Sequence, residues 1–127
     1  MAVPPESRDP VWWMREHSIA ESNVTIAAKT LALVKDERLR SWASHQLDAR
    51  LDHLEIVDDT CDAILCEVRA REPAWVADAM ESHFYRGESW RQVAERIGLT
   101  TSAVSHATMK ALVRCKKTPK WKFTSRA

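Results

Sequence analysis

Between Val11 and Arg86 the chain holds no glycine and a single proline, Pro73, so almost nothing in this stretch can stop a helix once it has started. The same stretch is rich in Ala, Leu, Glu and Arg and shows no apolar alternation long enough for a strand. Only two glycines occur in the 127 residues, at positions 87 and 98. The fold class expected from these features is all-α. A chain of this length suits one ordinary domain, or a small domain with an arm, and is short for an elaborate enzyme.

Start and stop signals divide the chain. Asp9-Pro10 is a capping residue followed by a first-turn proline, which predicts a short helix from Pro10 to about Ile19 carrying Trp12, Trp13 and Met14. Adjacent tryptophans point in different directions, so either one packs on the body while the other meets a partner, or both tether a loose N-terminus. A second helix is predicted from Ser22 or Asn23 to about Val34, with Val24, Ala27, Ala28, Leu31 and Val34 on one stripe and Lys35 to Arg38 interrupting it. From Leu39 onward, Trp42, Leu47, Leu51, Leu54, Val57, Cys61, Leu65 and Val68 recur mostly every three or four residues, which predicts a long amphipathic helix ending near Arg71. That stripe must be covered, by the preceding helix or by a second copy of the chain, and the spacing leaves both open. Asp58 and Asp59 interrupt a strict heptad, whereas a homodimer would gain affinity by making a second binding event intramolecular. Glu72-Pro73 then breaks the chain and starts a helix through about Tyr85, with Val76, Met80 and Phe84 facing inward.

The stretch from Tyr85 to Leu112 has the spacing of a helix-turn-helix. Ser89 caps a helix whose inner face is Val93, Ala94 and Ile97, with Ala94 small enough for a close crossing. Gly98 follows where a left-handed residue ends a helix, Leu99 is expected to plug the core, and Thr100 caps the next helix. That helix starts near Thr101 and turns Val104, Ala107, Thr108, Ala111 and Leu112 inward. Thr101, Ser102, Ser105, His106, Met109 and Lys110 are left to face a DNA groove. None of these is an Arg, the usual bidentate partner of guanine, so base preference would come from Ser, Thr, His and Lys contacts or from DNA shape.

Charge is distributed unevenly. From Ser89 to the C-terminus nine Lys or Arg face one acid, Glu95, a net charge of +8, whereas residues 1–71 carry nine against thirteen acids, a net charge of −4. The near-neutral total of +1 hides this asymmetry. Arg91, Arg96, Arg114, Lys116, Lys117 and Lys120 are the expected phosphate contacts, and the tail from Arg114, with Trp121 and Phe123 interleaved, either lies along phosphates or is a frayed terminus. The organisation expected is therefore a helical region at 1–71 for dimerisation or partner binding, a DNA-binding domain at 72–113 and a basic tail at 114–127.

The Gly87, Ser89, Val93, Ala94, Ile97, Gly98, Leu99, Thr100, Val104 and Lys110-Ala111 pattern resembles region 4 of bacterial sigma factors. With Phe84 three residues before the glycine and Trp90 after the serine, it looks most like the small phage regulators of late transcription of the RinA and ArpU type. The resemblance covers the last third to half of the chain. It implies a C-terminal three-helix module that binds duplex DNA upstream of a promoter, contact with RNA polymerase, and a place in the bacterial cytoplasm or a phage-infected host.

Other chemistry is poorly represented. Cys61, Cys66 and Cys115 are odd in number and form no C-x-x-C, so neither a disulfide framework nor a zinc ribbon is expected, and Cys61 sits on the apolar stripe as a core residue. Histidines at 17, 45, 53, 83 and 106 form no ligand array, and Asp58, Asp59, Asp62 and Glu67 read as a solvated helix face. No catalytic residue, metal or cofactor is expected. No apolar run approaches the ~20 residues a bilayer needs. The expectation is a non-enzymatic, sequence-specific regulator of transcription. Two other readings remain: a module that binds RNA polymerase or another protein with incidental DNA contact, and a phage packaging component of the small-terminase kind.

Overall fold

Asp9 starts the first helix as its position before a proline requires: its carboxylate accepts the backbone N–H of Trp12 at 2.8 Å, and Pro10 occupies the first turn, where no N–H is needed. This computed structural model describes residues 9–117, and all of its regular structure is helical, with no strand among the described residues. Helix α1 spans Pro10–Leu33, α2 Glu37–Arg71, α3 Ala74–Met80, α4 Trp90–Ile97 and α5 Thr101–Lys117; a π-helical turn over Glu81–Tyr85 prolongs α3. No described helix is long and apolar enough to cross a membrane.

Helix α1 is continuous for 24 residues where two shorter helices were expected, at 10–19 and from 22 or 23 to 34. Ser22 and Asn23 resemble a cap, but no glycine or proline accompanies them and the backbone continues in register. The hydroxyls of Thr25 and Thr30 donate back to the carbonyls of Glu21 and Ile26, so these residues are satisfied within the helix rather than at an end. The stop comes at Val34, and Asp36 then caps α2 by accepting the N–H groups of Arg38 and Leu39 at 2.9 and 3.3 Å. Arg40 closes the tip, donating to the carbonyl of Val34 at 3.1 Å.

The two long helices form a hairpin. At its base, buried His17 of α1 meets Asp58 of α2, Nε2 to Oδ1 at 2.5 Å, and stacks on Tyr85 with ring centroids 4.1 Å apart. The Cys61 thiol donates to the carbonyl of Trp13 at 3.2 Å, and burial among apolar groups pushes its pKa up, so it packs as an inert side chain. Trp13 is buried, and half-buried Trp12 meets its edge with centroids 5.1 Å apart; the pair is part of a long helix rather than a loose tether. Further out, Val24, Ala27 and Leu31 of α1 are half-covered, and Trp42 and Leu51 of α2, expected on the covered stripe, are exposed. Helix α1 is too narrow a cover for a stripe that wide.

The main core joins both halves of the chain. Met14 of α1, Val57, Ile64 and Val68 of α2, Val76 and Met80 of α3, and Leu112 of α5 belong to one buried cluster. Each of the larger side chains contributes about 1.5–3 kcal/mol by leaving water. Glu72 ends α2 in extended conformation and Pro73 precedes α3, as the Glu-Pro pair implies. The π turn was not anticipated. Its wider ring, closed by the Arg86 N–H on the Glu81 carbonyl at 3.2 Å, lets three successive aromatic residues find separate partners: His83 on Trp90, Phe84 in the core and Tyr85 on His17.

Candidate nucleic-acid interface

Two short-range devices fix α4. The Ser89 hydroxyl accepts the Gln92 N–H at 3.1 Å while the Gln92 side chain accepts the Ser89 N–H at 2.9 Å, a reciprocal capping box. At the other end Gly98 is left-handed, with φ +85°, and both its N–H and that of Leu99 reach the Ala94 carbonyl at 2.9 and 3.1 Å. Thr100 then caps α5 by accepting the Ala103 N–H at 3.1 Å. Val93, Ala94 and Val104 close on Ala79 of α3 in a small second core, with Ile97 half-covered at its edge. Leu99 does not plug it: the left-handed turn carries this residue outward, leaving it 42 % exposed, because the four small side chains already meet.

Helix α5 carries opposite faces. Val104, Thr108, Ala111 and Leu112 are buried, with the Thr108 hydroxyl donating to backbone carbonyls of its own helix, while Ala107 is half-covered. Thr101, Ser102, His106 and Lys110 are exposed, and Ser105 and Met109 are partly so. Thr101, Ser102, Ser105, His106 and Met109 line one open concavity of about 680 Å³ together with Ala103 and Trp90. Lys110 is exposed on the same helix outside that lining.

Trp90 was not among the expected contacts. It is held at the rim by a stack on His83, with centroids 3.7 Å apart and planes 17° from parallel, and by the edge of Phe84. The His83 ring is itself fixed, since its Nδ1–H donates to the Glu88 carbonyl at 2.8 Å. The available signal was an aromatic residue directly after a helix cap, off the inner stripe of α4; the approach of that residue to α5 is tertiary and leaves no trace in spacing.

The cations fall into two groups. Arg96 donates to Glu88 at 2.5 Å and to the Ser82 hydroxyl at 2.7 Å, and Arg114 donates to Glu72 at 2.7 Å, so both hold helices together. Arg91 makes an exposed pair with Glu95 on its own helix at 3.3 Å, a contact that water and salt weaken. Lys110, Lys116 and Lys117 are exposed along α5 and its C-terminal end. Lys120, Trp121 and Phe123 lie outside the described residues.

The acids of α2 are partly engaged rather than forming one solvated face: Asp58 meets His17, Asp62 accepts from the Tyr85 hydroxyl at 3.3 Å, and Glu67 pairs with Arg71 at 2.7 Å. Burial, with Cys61 and Asp62 beside it, pushes the Tyr85 phenol pKa up. Among the described residues no group of three or more His, Cys, Asp or Glu could hold a metal ion. Comparison with known proteins returned no match to a family model, to a curated protein or to a solved structure.

Proposed function

We propose that this protein is a regulator of transcription that binds duplex DNA through a helix-turn-helix formed by α4 and α5, in the manner of sigma factor region 4 and of small phage regulators of late transcription. The observation that carries the reading is the concavity on α5. Its lining is a row of small hydroxyl and imidazole groups with Ala103, Met109 and Trp90 as its apolar members, and beside it the helix runs into exposed lysines with no acid on α5. An α-helix is about 10–12 Å across and the major groove about 12 Å wide, so the N-terminal half of α5 fits with that face toward the base edges.

Within the groove, Thr101, Ser102 and Ser105 exchange hydrogen bonds with base edges, His106 donates to a purine acceptor or a phosphate, and Met109 packs against a thymine methyl. Lys110, Lys116 and Lys117 neutralise phosphates, and Arg91 joins them by exchanging its exposed pair with Glu95 for a phosphate. Trp90, held by His83, sets the edge of the footprint. Arg96 and Arg114 act by fixing α4 and α5 to the body. The role requires no catalysis. The resemblance to sigma region 4 extends the reading to promoters and to contact with RNA polymerase.

Selection from a randomised duplex pool by the purified full chain near physiological salt tests the reading, with an enriched motif as the expected result and the absence of any motif as the result against it. Ser105 and His106 changed together to Ala should weaken the selected site more than random DNA; an equal loss on both removes them from readout. Lys116 and Lys117 changed to Ala should weaken all duplexes and reduce the slope of log affinity against log salt by about 0.9 for each phosphate no longer neutralised.

A further inference from the structure

Helix α1 bears two apolar stripes, and α2 covers only one of them. Trp13, Ala20 and the half-buried Val24, Ala27 and Leu31 face α2. On the adjoining face Trp12, Ile19, Ile26 and Leu33 recur every seven residues, and the intermediate three-and-four positions are Glu16, which pairs with His53 of α2, followed by Asn23 and Thr30. No charge interrupts Ile19, Asn23, Ile26, Thr30 and Leu33, yet Ile26 is 62 % and Leu33 79 % exposed. Helix α2 continues the face: Asn23, Ile26 and Thr30 share a shallow furrow of about 160 Å³ with Trp42, Gln46 and Arg50, and Trp42 is 56 % exposed.

We propose that this face of the hairpin is the contact between two copies of the chain, packed with α1 of each copy across α2 of the other as a four-helix layer. The seven-residue recurrence is the pattern that a second helix running alongside requires, and beyond Trp12, which packs on the core, its members Ile19, Ile26 and Leu33 are exposed in the protomer. Size fits the same occupant. From Trp12 to Leu33 the face is about 32 Å long at 1.5 Å per residue and about 20 Å wide, two helix diameters. A footprint of roughly 600 Å², corrugated by side chains, approaches the ~800 Å² of accessible surface that each partner contributes to a stable interface. Uncovered apolar patches beyond a few hundred Å² are unusual on monomers.

Charge selects the arrangement. The outer edge of α1 carries exposed Arg15 and Lys29, and the outer edge of α2 carries exposed Asp52 and Asp59. The His17–Asp58 contact puts Arg15 and Asp59 at the same height on the hairpin. Laying α1 over the α2 of a second copy therefore brings a basic edge to an acidic one at both rims, whereas α1 over α1 would set Arg15 and Lys29 against themselves. All neighbouring helices in this layer are antiparallel.

The surface does not depend on DNA binding, so its test needs no DNA. Sedimentation equilibrium of the full chain at micromolar concentration should give a two-chain mass. Ile26→Glu with Trp42→Glu should raise the dissociation constant at least about a hundredfold. Helix content should be unchanged by circular dichroism, since both side chains are mostly exposed in the protomer. Ile26→Gln gives the same reading with less risk to folding, and Val113→Glu, an exposed apolar position on α5, should leave the dimer intact. Arg15→Glu should weaken the dimer a few-fold and Asp59→Arg added to it should restore the strength. A monomer at every concentration, a dimer indifferent to the Ile26 and Trp42 changes, or a larger oligomer overturns the proposal; failure of the charge exchange to recover overturns the α1-over-α2 arrangement. A monomer that still selects a DNA motif would leave the proposed function standing without this interface.

Discussion

In the inner half of α2, where α1, α3 and α5 all converge, Val57, Cys61, Ile64, Leu65 and Val68 are buried; in the outer half, from Glu37 to Ile56, Ala43 alone is buried. The same helix thus passes through two environments without a break in its own regularity. What differs is the number of neighbours. Two helices side by side each leave most of their circumference to water, whereas a third and fourth helix close the gaps between them. Helix formation in this protein is decided locally by caps and the absence of breakers, and burial is decided by how many elements meet.

That difference predicts where truncation is felt. Leu112→Ala empties a site with no exposure in the shared core and should lower the unfolding free energy by about 2–5 kcal/mol in a chemical denaturation series. Leu33→Ala in the hairpin should change the dilute monomer by no more than about 0.5 kcal/mol. Comparable destabilisation at both positions would show that the hairpin has a core of its own and would erase the contrast.

The turn between α4 and α5 gives a sharper case, because its geometry depends on one residue. Gly98→Ala meets no atom within 4 Å of the added carbon, so its cost comes from holding a non-glycine residue at φ +85°, about 1–2 kcal/mol. Gly98→Asn, whose side chain tolerates this conformation, should recover part of that stability in the same series. A neutral Gly98→Ala would mean that the turn is not held left-handed.

Alkaline pH separates the two regions through the buried thiols. Burial, with Glu67 adding, pushes the Cys115 pKa up to about 11 from the ordinary 9.0. A thiol that ionises more readily when unfolded contributes stability that is complete below the unfolded pKa and is lost as pH rises toward the folded value. Stability of the shared core should therefore fall between about pH 9 and 11, by about 1 kcal/mol at pH 10 from this thiol. Cys115→Ala should make the fall shallower when stabilities at pH 8 and pH 10 are compared, whatever it does to the baseline. Exposed Cys66 should react with a thiol reagent well before Cys61 or Cys115.

How legible each part was from the residues follows the same line between local and tertiary causes. The all-helical class, the cap at Asp9, the break at Glu72-Pro73 and the left-handed Gly98 depend on nearest neighbours, and the spacing showed them. The inner faces of α3 and α5 could be read because Val76, Met80, Phe84, Val104 and Leu112 recur at the helical period. Continuity of α1 through Ser22 and Asn23 could not, since the same residues serve as caps only when a breaker stands beside them. Leu99 was misplaced because its side chain follows the turn and not a helical period. The pairing of Arg96 with Glu88 and of Arg114 with Glu72, and the seat of Trp90 beside Ser105 and Met109, depend on helices that meet only in the folded chain.

Two helix caps of the same chemistry also tell the regions apart. Helix α4 has eight residues, too few to persist in water alone, so its capping box acts on a helix that only the packed body sustains. Ser89→Ala should cost about 1 kcal/mol in global unfolding, because losing α4 opens the small core of Ala79, Val93, Ala94 and Val104. Asp36 offers the same chemistry to α2, accepting two N–H groups, but at the exposed tip of the hairpin. Asp36→Ala should therefore accelerate amide exchange in the first turn of α2 and leave the global unfolding midpoint in place, since the tip can fray without uncovering a buried side chain. Equal global effects from the two substitutions would mean that the tip is closed by contacts beyond the protomer, and repeating Asp36→Ala in the Ile26→Glu background would show whether a second copy supplies them.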